Sequence, residues 1–141
     1  MDLRPYRPED KEGLLVAFDS NVPDWFYPEE REKLDAFLDA LPGPYSVLDH
    51  DGTIVGGAGY SMHTPAMAEL RWLIVRRDLH SNGLGKLLVY STLRELSKRE
   101  DPPQISLRTL PQATGFFEKM GFHVVSNTPW VDMLKKLKVC P

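Results

Sequence analysis

The sequence predicts a mixed αβ fold, with one sheet and its packed helices forming a single domain over residues 1–141. Three observations carry this expectation. Strand-like and helix-like periods alternate along the whole chain, with no repeat, low-complexity segment or linker between them. His50-Asp51-Gly52 supplies a hairpin turn between two strand-like runs. A third strand, Met67 to Val75, passes through a short polar turn into a helix at a glycine pair, Gly83 and Gly85.

Taken in order, Leu3 to Arg7 reads as a short edge strand, since proline (here Pro5) suits an edge better than a sheet centre. Pro8-Glu9-Asp10 opens a helix: proline suits the first turn, and two acids complement the helix dipole. Leu14, Leu15 and Phe18 point inward from it. After the loop Asn21 to Tyr27, a second helix begins at Pro28-Glu29-Glu30, with Leu34, Phe37, Leu38 and Leu41 on one stripe, and Pro42-Gly43-Pro44 ends it. The hairpin strands are Tyr45 to Leu48 and Ile54 to Tyr60; the glycines of the second leave room for another chain or a ligand. In the Met67–Val75 strand, strict alternation puts Ala68, Leu70, Trp72 and Ile74 on one face and Glu69, Arg71, Leu73 and Val75 on the other. The helix from about Gly83 to Lys98 has an apolar side of Leu84, Leu88, Val89, Leu93 and Leu96, with Gly85 in its middle. Asp101-Pro102-Pro103 breaks the chain before a strand from Gln104 to Thr109. Ala113 to Lys119 is a short helix capped at Gly121, and Phe122–Val125 and Val131–Leu134 close the sheet.

Composition narrows the function classes. A chain of 141 residues supports a real core, and 42% hydrophobic with 26% charged residues is the balance of a soluble globular protein. The net charge of −3 argues against nucleic acid as the main partner, because duplex binding needs a basic face. No apolar run approaches a membrane span, and Met1-Asp2-Leu3-Arg4-Pro5 has no signal-peptide core, so a cytoplasmic location is expected. Cys140 is the single cysteine, which excludes an internal disulfide and a cysteine metal cluster. No metal is expected.

The glycine turn is the main chemical signal. Glycine lets the backbone turn sharply and come close to a ligand, and the first N–H groups of the following helix, with the positive end of its dipole, suit phosphate oxygens. A plain strand-to-helix connection uses glycine in the same way, so this run alone leaves both readings open.

The element order, with this turn after the central strand, resembles the GNAT superfamily of acyl-CoA-dependent N-acyltransferases, and the resemblance covers essentially the whole chain. His80-Ser81-Asn82-Gly83-Leu84-Gly85 matches the family pattern of Arg or Gln, two residues, Gly, one residue, then Gly or Ala. Ala113-Thr114-Gly115-Phe116-Phe117-Glu118-Lys119-Met120-Gly121-Phe122 matches its later pattern of Ala, an aromatic pair, Glu-Lys and Gly-Phe. The resemblance implies a mostly antiparallel sheet with a splayed pair of strands and helices on both faces. It implies acetyl-CoA as co-substrate, with the N–H groups of Asn82 to Lys86 (Asn82, Gly83, Leu84, Gly85 and Lys86) on the pyrophosphate. The turn residues His80 and Ser81 would belong to the same cofactor site. The backbone of Leu73, Ile74 and Val75 would pair with the pantetheine arm as if it were another strand. Phe116 lies against the arm or in the core, and Arg76 and Arg77 attract phosphates or are simply solvated.

Three departures from the family pattern stand out. His80 replaces the usual Arg or Gln. Leu110 stands where the family often has asparagine, with the Thr109 hydroxyl beside it as a substitute. Phe117 occupies the place of the frequent tyrosine acid, and phenylalanine donates no proton.

The expected reaction is transfer of acetyl to a primary amine of a small molecule or peptide in a ternary complex. The alternative is a non-catalytic acyl-CoA-binding or regulatory domain. A phosphate module for another nucleotide is a third reading, against which stands the lack of a Gly-Lys-Ser/Thr P-loop. A thiolate with a reference pKa of about 8.5 can leave without a positioned acid. Tyr60, Tyr90 or water would protonate it, and an N–H near Val75 would stabilise the oxyanion. Glu69 is the candidate base, on the cofactor strand and on the face of Val75 by the alternation above; its other role is a salt bridge to Arg71. His63 is a second candidate, and Asp78 shapes the turn. Trp25, Phe26 and Tyr27, beside Asp24, either receive the amine substrate or staple the second helix. Family members often pair through their sheets, and the C-terminal strand around Val131 to Leu137 would do so in a homodimer.

Overall fold

The computed structural model describes residues 1–127 and 130–137; Cys140 lies outside them. Seven strands form one sheet: β1 (Asp2–Pro5), β2 (Tyr45–His50), β3 (Thr53–Thr64), β4 (Met67–Val75), β5 (Gln104–Thr109), β6 (His123–Asn127) and β7 (Val131–Lys136). Their order is β1-β2-β3-β4-β5-β7-β6, antiparallel throughout except for the β4–β5 pair. β7 is paired on both sides, by β5 and β6, so the C-terminal strand Val131–Lys136 offers no free edge for the expected homodimer contact. Helices α1 (Lys11–Asp19) and α2 (Glu30–Ala40) cover one face, and α3 (Leu84–Ser97) and α4 (Thr114–Glu118) the other. No helix among the described residues is long and apolar enough to cross a membrane.

Each face has its own core. Leu14, Phe18, Leu34 and Phe37 of α1 and α2 pack on Val47, Ile54 and Ile74. Val89, Leu93 and Leu96 of α3 and Phe117 of α4 pack on Ala68, Leu70, Ile105 and Met133. The hairpin, the proline-led first turn and the left-handed cap at Gly121 (φ 95) are as the sequence predicts. The stripe of α2 differs at one end. Leu41 is exposed and left-handed (φ 43), because the residue before Pro42 is steered away from helical backbone.

The glycines of β3 also differ from expectation. Their space is filled by the chain's own atoms and not by a ligand. A Cβ on Gly59 would lie 2.2 Å from the Pro44 carbonyl oxygen, and one on Gly57 would lie 2.9 Å from the Tyr45 hydroxyl.

The decisive departure is in β4. Gly57 pairs with Ile74 and Gly59 with Arg71, so three steps on β4 oppose two on β3 and one residue is extra. Trp72 takes the strain of this bulge at φ 49, a conformation that costs about 1–3 kcal/mol for a non-glycine residue. Its ring packs among Phe18, Phe26 and Phe37, and the Tyr45 hydroxyl donates to its carbonyl oxygen at 2.7 Å. The bulge breaks the alternation. Ala68 and Leu70, then Leu73 and Val75, face α3, whereas Arg71, Trp72 and Ile74 face α1 and α2. Glu69 therefore does not share a face with Val75.

Candidate active site

β4 and β5 pair only over Met67–Glu69 and Gln104–Ser106. Beyond that the two strands separate, and a cleft of about 750 Å³ opens between them. Parallel neighbours joined by the crossover helix α3 form the splay, and β5 then keeps its other edge on β7. The Arg76 N–H bonds to the Val55 carbonyl, so the alternating main chain turns the N–H and C=O of Val75 away from β3, towards the cleft. That carbonyl already has two donors: the Asn21 amide (Nδ2, 2.9 Å) and His80 Nε2 (2.8 Å), which must carry the ring proton because a carbonyl only accepts. The Ile74 carbonyl points at Gly56 of β3 and its side chain enters the α1/α2 core, so Leu73 and Val75, and not Ile74, line the cleft.

At one end of the cleft lies the turn into α3. Arg77–Leu79 form a 3-10 turn, and Ser81 (φ 68) and Gly83 (φ 80) adopt left-handed backbone, which aims the start of α3 at the cleft. Nothing lies within 4 Å of a Cβ placed on Gly83. Among the described residues no side chain caps α3, so its first N–H groups are open to an anion. His80, Ser81, Gly83, Gly85 and Lys86 line the cleft; Leu84 packs inward with Leu88 and Val75, and the Asn82 side chain bonds to the Leu79 carbonyl. The Phe116 ring lies 3.3 Å from a Cβ placed on Gly85, so a larger residue there would push the ring back from the helix start by a few tenths of an ångström.

The two arginines each sit in an exposed ion pair. Arg76 binds Asp78 at 2.7 Å, and this hydrogen bond holds the Asp78 carboxyl below its ordinary range. Arg77 pairs with Asp24. Lys86, whose ammonium lies over the Tyr90 ring, makes no ion pair among the described residues.

The other end of the cleft carries Glu69, Arg71, Trp72, Phe26, Lys33 and Trp130. Glu69 Oε1 lies 2.8 Å from His63 Nε2 and 3.8 Å from Arg71 Nη1, so the glutamate has an ion partner and also borders the cleft. Of the three loop aromatics, Trp25 and Phe26 line the cleft and Tyr27 does not. Trp25 meets the His80 ring edge-on at 5.8 Å, Phe26 packs on Phe18 at 4.9 Å, and Tyr27 stacks edge-on with Trp130. Glu30 accepts the Tyr27 N–H at 2.7 Å; burial raises its carboxyl pKa, and that bond only partly opposes the rise.

Thr109 and Phe117 border the cleft as well. Tyr60 does not. It is buried away from the cleft against α3, its hydroxyl 3.3 Å from Glu95 and 3.4 Å from Arg99. Tyr90 is exposed outside the cleft lining. Asn21 is the residue that sequence reasoning missed. It is 2% exposed and joins α1 to the end of β4, yet a polar residue after a helix carries no sequence signal for that task.

A family profile described as the acetyltransferase (GNAT) family matches residues 14–122. An uncharacterised N-acetyltransferase of Chlorobaculum tepidum is 32% identical over 83 residues, which are 59% of this chain and 52% of that protein; the chain thus spans about half the length of this curated relative. Among solved structures, one from Desulfovibrio desulfuricans assigned to the GNAT family superposes with a TM-score of 0.79 at 19% identity, covering 99% of both chains. An aminoglycoside 6'-N-acetyltransferase complexed with coenzyme A superposes with a TM-score of 0.77 at 16% identity, covering 100% of this chain and 99% of that one. At these identities the superpositions establish the fold.

Proposed function

Because the chain belongs to the GNAT family of acetyltransferases, we propose that it transfers the acetyl group of acetyl-CoA directly to a primary amine of a small molecule or peptide, with both substrates held in the cleft at once. One observation carries the reading. A single cleft runs from the uncapped N–H groups of α3, past the open edge of β4, to Glu69.

The residues present fit the cofactor. The main-chain N–H groups at the start of α3, with Lys86, take the pyrophosphate. Phe116 packs along the pantetheine arm, and the Val75 N–H serves as a donor at the edge of β4. Thr109 supplies a hydroxyl on the facing strand. Acetyl-CoA brings an activated thioester; the protein's contribution is to place it and the amine in reach of each other.

Glu69 takes a proton from the incoming ammonium, directly or through water, with His63 holding the carboxylate by its Nε2–H. A main-chain N–H of β4 near Val75, on the open edge between it and Glu69, donates to the thioester carbonyl oxygen as charge develops there. Phe117 cannot protonate the leaving thiolate, and Tyr60 stands outside the cleft, so water supplies that proton. One proton of the ammonium then goes to solvent for each turnover and the other is balanced by the thiol formed.

The test is thiol release from acetyl-CoA against a panel of amines. Turnover is expected with at least one acceptor, and Glu69→Gln should lower kcat/KM by about a hundredfold or more. The competing reading, a non-catalytic acyl-CoA-binding domain, is favoured by Phe117 in the cleft wall, and it requires tight coenzyme A binding with no release for any acceptor.

A further inference from the structure

We infer that the acceptor is an α-amino acid with an apolar side chain, gripped as a zwitterion by Glu69 and Arg71. This inference rests on the transfer reading above and narrows it. Glu69 makes both of its contacts through Oε1, so Oε2 has no partner among the described residues. Arg71 spends one donor group, Nη1, on the Ser61 hydroxyl at 3.2 Å, and its Nε and Nη2 groups have no acceptor among the described residues. Its guanidinium is held in place by the Phe37 ring, 4.7 Å from the centroid. At 3.8 Å the pair is close but not hydrogen-bonded, so the carboxylate and the guanidinium each keep an open side towards the cleft.

A ligand that carries an ammonium and a carboxylate on one carbon satisfies both at once. The guanidinium fork suits a carboxylate through two parallel hydrogen bonds. The same arrangement leaves the amine on Glu69, the residue assigned to deprotonate it. Trp72, Phe26 and Trp130 form the neighbouring wall, which suits an apolar side chain. A polyamine is poorly served here. Lys33 and Arg71 on the cleft wall repel its further ammonium groups.

The test compares L-phenylalanine, L-phenylalaninamide, 2-phenylethylamine and spermidine as acceptors in the thiol-release assay. The free amino acid should exceed each of the others in kcat/KM by about tenfold to a hundredfold, the range of a charge-assisted hydrogen bond. In Arg71→Gln the ratio of phenylalanine to its amide should fall to within about threefold, and Arg71→Lys should retain part of it. Equal rates for the acid and the amide in the unaltered protein, or a preference for spermidine, would overturn the zwitterion reading and leave acetyl transfer standing. No release with any acceptor, despite coenzyme A binding, would overturn both.

Discussion

Tyr45→Phe removes one atom and tests the role of the β4 bulge. The Tyr45 hydroxyl donates to the Trp72 carbonyl at 2.7 Å, and the ring itself sits against Gly57, where any Cβ would collide with it. Burial pushes the hydroxyl pKa well above its usual value, so it remains a donor at every working pH. The phenylalanine ring keeps the packing and opens no cavity larger than an oxygen atom. The loss is therefore one hydrogen bond plus a part-buried carbonyl without its donor, about 1–3 kcal/mol. For a domain of this size that is a drop of about 2–4 °C in Tm per kcal/mol, measured by circular dichroism. The strained Trp72 backbone would then relax, and the N–H of Val75 would move with it. In the thiol-release assay kcat should fall about tenfold to a hundredfold, the scale of a misplacement near 1 Å, with little change in acceptor KM. An unchanged Tm would refute the clamp. A lowered Tm with unchanged kcat would show that the bulge shapes the core and not the reaction.

Three further outcomes follow from buried groups. Asn21→Asp places a carboxyl against the Ala17 and Val75 carbonyl oxygens at a site 2% exposed. Its folded pKa rises, the folded state holds the proton, and stability should fall relative to Asn21→Ala above about pH 4, by up to 1.4 kcal/mol per pH unit in urea titrations; parallel pH curves for the two variants would be the contrary result. Asp10 accepts both terminal nitrogens of Arg4 and the Arg7 N–H, each at 2.8 Å, and Arg4 holds its carboxyl below the ordinary range. Its stabilisation is present above about pH 4 and fades as pH falls through the lowered value, so Asp10→Asn should cost about 2–3 kcal/mol at pH 7 and flatten the acid limb of the stability curve. Phe117→Tyr restores a hydroxyl at the edge of the cleft; kcat should rise less than tenfold, and a gain of about a hundredfold, typical of a positioned acid, would refute departure of the thiolate without one.

Much of this architecture is legible in the residues because local chemistry and tertiary packing agree. The Asp51-Gly52 turn, Gly83 at the start of α3 and the cap at Gly121 each need a backbone that few residues adopt, so the sequence announces them. The bulge is silent because Trp72 is apolar enough for either face. One extra residue moves every later side chain to the other side, which is why Glu69 parts from Val75. The row Gly56, Gly57 and Gly59 looks like space for a ligand until Ile74, Tyr45 and Pro44 are seen to occupy it. The contact between Glu69 and His63 depends on how the β3–β4 hairpin is registered, and that of Asn21 with Val75 on how α1 docks. Spacing along the chain encodes neither.

Splay and bulge leave β4 with an edge that is open in one sense only. An unprotected strand edge offers alternating donors and acceptors, and another strand can pair with it. Here the last acceptor, the Val75 carbonyl, is saturated by Asn21 and His80, while its N–H still faces the cleft. A second polypeptide in strand conformation would have to leave its own N–H unpaired at that point, at a cost of about 1–3 kcal/mol if buried. A pantetheine-like chain, whose amides are spaced more widely than those of a peptide, can hand over one carbonyl there without presenting a donor. The same two side chains that fix the end of β4 thus discriminate between an amide-bearing cofactor and a stray strand. His80 joins this function to the phosphate end through its place at the head of the turn, and to the Asp24–Tyr27 loop through Trp25.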